Sequence, residues 1–161
     1  KAFTVDHAIS IPHHMVVSPN EGVEIIPIYI DVASSPRIEK RRAYKLGQQI
    51  SQAVDVFPKD ERVVIVGSGG LSHWVGSAPM GKVNAEFDRR VMTLIEEGDV
   101  DELLALSDEE ILAEGGEGAL EICQWLCAMG AMKGARGRVI AYEPIPEWIT
   151  GMGFLELTFD F

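Results

Sequence analysis

Apolar positions along the chain follow two periods. Val23–Val32 and Val63–Val66 are rich in β-branched residues and read as strands, the first broken by Pro27, which argues for an edge or a bulge. Val139–Tyr142 and the alternating Phe154–Phe161 read as two further strands. The stretch Ala2–Pro12 opens with a short strand-like alternation and runs into a helix. Elsewhere the period is helical. Ala43, Leu46, Ile50, Ala53, Val54 and Phe57 predict a helix from about Arg37 to Phe57, capped by Ser34, Ser35 and Pro36, with Arg37, Lys40, Arg41 and Lys45 kept wet. Phe87, Val91, Leu94 and Ile95 form the inner face of a helix that Asn84 caps and that runs to about Glu97. The acidic stretch Glu96–Glu114 carries a short helix near Asp101–Leu106 and another begun by Ser107 with Glu110 three residues on, a capping box. Its carboxylates read as a solvated face. Ala119–Met132 is apolar nearly all round, as expected of a helix packed on several sides. Strands alternating with helices, with no repeat or linker, predict an α/β single domain: a mixed sheet flanked by helices.

Composition narrows the partners. At 161 residues, 47% apolar and 24% charged, the chain suits one soluble domain with a sizeable core. A net charge of −11 excludes nucleic acid and anionic membranes as natural partners, because both would be repelled. Cys123 and Cys127 lie one helical turn apart within the apolar helix, which suits buried thiols in a reducing cytoplasm better than a disulfide. The chain opens Lys1-Ala2-Phe3 with no initiator Met and no polar lead-in, and so reads as a start inside a longer protein.

Candidate chemistry centres on Gly67-Ser68-Gly69-Gly70-Leu71-Ser72-His73, which follows the strand at Val63–Val66. A phosphate loop is the first rival. It fails, because the run has neither the Lys-Ser/Thr of a P-loop nor a GxGxxG leading into a helix. The glycines therefore read as clearance for the backbone, and His73 as the group being placed. Glu121, near the start of the apolar helix, has only Gln124 for polar company. Two readings stay open: a solvent-facing carboxylate favoured by the helix dipole, or a buried one held by a metal, an arginine or free N–H groups. Asp6-His7 interrupts an apolar surround, whereas His13 and His14 are adjacent, point apart and read as surface residues. His7, His73 and Glu121 together have the ligand types of a two-His-one-carboxylate iron centre, and spacing alone does not test that set.

Asp6-His7 with Pro12 five residues on, Gly67–His73, Asn84–Asp88 and Gly118–Trp125 together resemble the class III extradiol ring-cleaving dioxygenases. The protocatechuate 4,5-dioxygenase catalytic chain and 2,3-dihydroxyphenylpropionate dioxygenase are of this type. The resemblance runs in order from Asp6 to about Gly153, and it implies different roles. The position matching Glu121 is the carboxylate ligand of Fe(II), while those matching His7 and His73 are acid–base histidines facing a bound catechol. The two histidine ligands would come from an N-terminal segment or a second chain, so residues 1–161 would be the C-terminal half of a larger catalytic subunit, in an oligomer.

The activity implied is extradiol cleavage of a catecholic ring by O2, in cytoplasmic breakdown of aromatic compounds. His73 is the expected base and His7 the expected acid, imidazoles being apt because they titrate near working pH. Where protocatechuate enzymes of the family carry a small polar residue that meets the substrate carboxylate, this chain has Trp148, which implies another substituent or pocket shape. Ser72 and Thr150 are the further expected substrate contacts. The competing readings are a non-catalytic binding or scaffold relative and a metal-dependent hydrolase.

Overall fold

Two helices meet without side chains between them. In the computed structural model, which describes residues 5–58 and 60–159, helices α2 (Lys40–Asp55) and α6 (Ile122–Ala131) cross at Gly47 and Gly130. A Cβ on Gly47 would stand 1.9 Å from the Cys127 carbonyl oxygen, and one on Gly130 would stand 2.1 Å from that of Tyr44. Only glycine at both positions lets the two backbones touch. Helix α6 is then enclosed: Ile122, Cys123, Leu126 and Met129 are all buried.

The remaining elements follow in order. Helix α1 (His7–Pro12) leads into a π-helical turn at His13–Val17, in which His13 and His14 are exposed as expected. Helix α3 spans Ala85–Glu97, with Asn84 accepting from the Phe87 N–H as its N-cap and Gly98 closing it in the left-handed conformation (φ 71°). Helices α4 (Val100–Ala105) and α5 (Asp108–Gly115) carry the acidic stretch, most of whose carboxylates are exposed, and Ser107 caps α5 by accepting from Glu110. A 3₁₀ turn, Glu117–Glu121, feeds α6. Strands β1 (Arg136–Ile145) and β2 (Thr150–Thr158) pair antiparallel, Arg136 opposite Thr158 and Ile145 opposite Thr150, with a bulge between Val139 and Ala141 that leaves Ile140 outside. Gly137 brings β1 against α3, because a Cβ there would stand 2.8 Å from Ile95 Cγ2. The core between these layers includes Leu71, Phe87, Val91, Ile111, Ile122 and Leu126.

The α/β class within one domain holds, with differences in detail. The sheet among the described residues is the two-stranded ribbon β1–β2. Val23–Val32 and Val63–Val66 join no ladder there, and Ile26 and Val64 are 80% and 81% exposed. Composition favours an extended backbone, whereas a ladder requires a neighbouring strand. The helix expected from Arg37 starts at Lys40 behind Glu39, since Ser34, Ser35 and Pro36 form a bend rather than a cap. The pair β1–β2 is longer than the pattern implied: Pro144 and Gly151, which lie between the two strands expected from sequence, are partners in the ladder. Of the opening alternation only Val5 is described, and Asp160 and Phe161 lie outside the described residues.

An exposed helical Gly→Ala change gains about 1 kcal/mol from propensity. At the crossing that gain is outweighed by backbone collision. Gly130→Ala is expected to lose about 2–3 kcal/mol, read as a lower urea midpoint with an unchanged slope.

Candidate functional site

The glycine loop and the turn before α6 clasp one another. His73 donates its backbone N–H to the Gly115 carbonyl at 2.8 Å, and its own carbonyl accepts from the Gly118 N–H at 3.0 Å. Between these bonds the imidazole lies against bare backbone. A Cβ on Gly118 would stand 2.0–2.2 Å from three ring atoms, and one on Gly70 would stand 2.5 Å from the ring and 3.1 Å from Glu121 Oε2. Gly69 fits as closely against the start of α6, where a Cβ would stand 2.8 Å from the Glu121 carbonyl. The glycines thus clear space as expected, chiefly for one ring.

Its orientation assigns the protons. His73 Nδ1 lies 2.9 Å from the Leu71 carbonyl oxygen. A carbonyl only accepts, so Nδ1 carries the hydrogen and the neutral ring presents its lone pair at Nε2. That nitrogen faces Glu121, 4.0 Å from Oε1, with the imidazole side chain 15% exposed. Leu71 itself is fully buried in the core, so the acceptor that sets the tautomer is anchored.

Glu121 occupies the N-cap position of α6 and is partly buried. Burial raises its carboxyl above the ordinary value, against the opposing pull of His73, His7 and the Gly70 N–H. His7 therefore shares the electrostatic neighbourhood of Glu121, although it sits on an exposed segment. Its Nδ1 pairs with Asp6 Oδ1 at 2.5 Å. Asp6 also caps α1 by accepting from Ala8 at 3.1 Å and takes a hydrogen bond from the Tyr29 hydroxyl at 2.8 Å. The Ala8 and Tyr29 bonds hold the Asp6 carboxyl below its ordinary value.

Among the described residues no three His, Cys, Asp or Glu side chains come close enough to hold a metal ion. The direct set of His7, His73 and Glu121 is therefore not a ligand cage. Glu121 fits a metal as one partly desolvated carboxylate, with no Lys or Arg among the charges that shift it. A complete centre needs ligands beyond it.

The expected substrate contacts separate. Trp148 is 64% exposed, on the 3₁₀ turn Pro146–Trp148 between the two strands, followed by Ile149 in the left-handed region (φ 59°). Thr150 is partly buried, and its hydroxyl donates to the Gly151 carbonyl at 3.2 Å. Ser72 is different. It is 0% exposed, its hydroxyl donates to Asp88 Oδ2 at 2.9 Å and accepts from the Asn84 N–H at 2.8 Å, and its carbonyl accepts from Gly151. With its hydroxyl enclosed in this way, Ser72 holds the loop and has no free face for substrate.

Sequence reasoning gave no role to Asp88, Gly118 or Tyr142. Asp88 is a 0% exposed carboxylate that accepts from the Ser72 N–H at 2.7 Å, the Ser72 hydroxyl and the Tyr142 hydroxyl at 2.8 Å. Burial raises its carboxyl, and the Ser72 and Tyr142 bonds oppose that shift. A signal for it existed: Asp88 is three and four residues before Val91 and Met92, which puts a carboxylate on the apolar stripe of α3.

The α/β domain thus presses one imidazole between glycines, opposite a partly buried carboxylate. The family described as the catalytic LigB subunit of aromatic ring-opening dioxygenase matches residues 1–153, and the chain belongs to it. It is 27% identical to a 2,3-dihydroxyphenylpropionate/2,3-dihydroxicinnamic acid 1,2-dioxygenase of Klebsiella pneumoniae, over 96% of this chain and 63% of that protein. To the protein of the same description from Escherichia coli strain SMS-3-5 it is 28% identical, over 94% of this chain and 62% of that protein. The chain thus spans less than two thirds of the length of these curated relatives.

The Glu121 shift carries a testable sign. Because burial raises its carboxyl, ionised Glu121 weighs against the fold at pH above its folded value. That penalty fades as pH falls toward the ordinary value of an unfolded glutamate. Glu121→Gln is therefore expected to melt higher than the unsubstituted metal-free protein at pH 7, with the difference shrinking toward pH 4 in thermal unfolding scans.

Proposed function

We propose that this chain carries the proton-handling part of a non-haem Fe(II) site for extradiol cleavage of a catecholic ring by O2. The observation that carries the reading is the His73 imidazole, held by Leu71 at Nδ1 and turning Nε2 toward Glu121. Family membership and the ring-cleaving relatives support it.

In this reading Glu121 is the carboxylate ligand. The two histidine ligands come from outside the described residues, supplied by an N-terminal segment or a second chain, and residues 1–161 are the C-terminal part of the catalytic domain. Bound Fe(II) supplies Lewis acidity and a template for the two catechol oxygens and O2.

His73 Nε2 removes a catechol hydroxyl proton, while the Leu71 carbonyl stays bonded at Nδ1–H and fixes the ring. Glu121, 4.0 Å away, stabilises the imidazolium so formed. His7 returns a proton later in the cycle, and Asp6 and Tyr29 orient its ring: Asp6 accepts from both, which leaves His7 Nε2 as the exchanging nitrogen. The exposed Trp148 ring meets the substituent on the catechol, with Thr150 beside it at the start of β2. The enzyme works in the cytoplasm, consistent with two free buried cysteines.

A ring-fission assay of the full-length protein with Fe(II), following the yellow product across a panel of substituted catechols, tests the reading. His73→Ala is expected to lower kcat by about 10²–10⁴-fold with iron content unchanged, and Glu121→Ala to lose the iron. The 161-residue polypeptide alone is expected to bind Fe(II) weakly in a calorimetric titration. Iron bound at stoichiometry in the full-length protein with no turnover on any catechol would overturn the assignment.

A further inference from the structure

The groups around Asp88 point past the residues that face the substrate. Asp88 is a fully buried carboxylate with three donors and no Lys or Arg among them. Two of the donors belong to Ser72, the residue directly before His73. The third, Tyr142, lies on β1. Gly151 on β2 closes the arrangement from another side. Its N–H donates to the Ser72 carbonyl at 3.0 Å, and a Cβ there would stand 2.0 Å from Asp88 Oδ2. Every polar group of Ser72 is thereby tied, its N–H and hydroxyl to Asp88 and its carbonyl to β2.

Burying an anion without a cation costs more than burying an apolar side chain of similar size. A valine or leucine would fill the space on the inner face of α3 without that cost. What a carboxylate does that they cannot is accept from a backbone N–H and two hydroxyls at once. Those bonds fix the peptide from which the His73 side chain departs.

We propose that Asp88 is a positioning residue for His73, acting through Ser72 to hold the imidazole between Gly70 and Gly118. This rests on the reading of His73 as the base. Asn at position 88 matches the size of Asp and not its acceptor set. One of its two terminal atoms is an NH2 donor: against the Ser72 N–H it breaks that tie, and against the two hydroxyls it makes both accept where they now donate. In either orientation a neutral amide replaces an anion that accepts charge-assisted bonds, so the hold on the Ser72–His73 peptide weakens. Gly151→Ala disturbs the same carboxylate from β2, without touching Asp88 chemically.

The test compares the full-length protein with Asp88→Asn, Gly151→Ala and Tyr142→Phe, by steady-state kinetics and by ¹⁵N NMR of the histidine rings. The unsubstituted protein is expected to show His73 as a single Nδ1–H tautomer. Asp88→Asn and Gly151→Ala are expected to average or split that signal and to lower kcat at least tenfold, with KM within about twofold. Tyr142→Phe, which removes one of three donors, should do the same to a smaller degree, and it decides the matter if the other two variants fail to fold. A His73 ring signal and kcat unchanged in the folded variants would overturn the proposal. If the unsubstituted protein cleaves no catechol, the reading of His73 as base fails, and the ring signals still decide whether Asp88 places the imidazole.

Discussion

The contact between the His73 ring and the Gly118 backbone is the constraint on which the site depends. A ring atom 2.0 Å from where a Cβ would sit leaves no room for any other residue at that position. The two backbone bonds that join His73 to Gly115 and Gly118 fix the loop to the turn that delivers Glu121. Imidazole and carboxylate thus come from segments nearly fifty residues apart, on loops that main-chain bonds hold together. Main-chain placement of this kind limits the loss of relative geometry between two side chains.

Two further close approaches carry that placement into the fold. Gly47 and Gly130 let α2 rest on α6, and Gly151 leaves room for Asp88 beneath the loop. Glycine is costly in helices and strands because of the freedom it loses on folding. Here it lies where backbone, carboxylate or imidazole must approach within a Cβ's width. Leu71 links the two systems: its side chain is buried in the hydrophobic core, and its carbonyl sets the tautomer of His73.

Local periodicity captured the elements whose stabilisation is local. Helix α3 runs from the Asn84 cap to Glu97 as its spacing implied, because cap, apolar stripe and closing glycine agree. Helix α6 is as enclosed as its uniform apolarity implied. The runs at Val23–Val32 and Val63–Val66 were less legible, since β-branched composition says nothing of which strand, if any, lies alongside. Ser34 and Ser35 looked like caps, and the chain instead bends there and begins its helix at Lys40. In the site, the clearance that the glycine run gives the His73 ring was readable. Ser72, expected as a substrate contact, is instead buried against Asp88, because a serine beside a histidine looks the same in sequence whether its hydroxyl faces a pocket or a buried carboxylate.

By itself, then, the sequence determined the chemical inventory: a glycine-rich run ending in an imidazole, a carboxylate opening an apolar helix, and the order that relates them to ring-opening dioxygenases. Tertiary structure alone decided which nitrogen of His73 is free, that His7, His73 and Glu121 do not form one metal cage, and that Asp88 lies under the loop. The reason is physical. Residue type sets what a group can donate, accept or ligate, and is local. Tautomer, ligand geometry and burial depend on distances of 2–4 Å between segments far apart in the chain, which exist only once the helices and strands have packed.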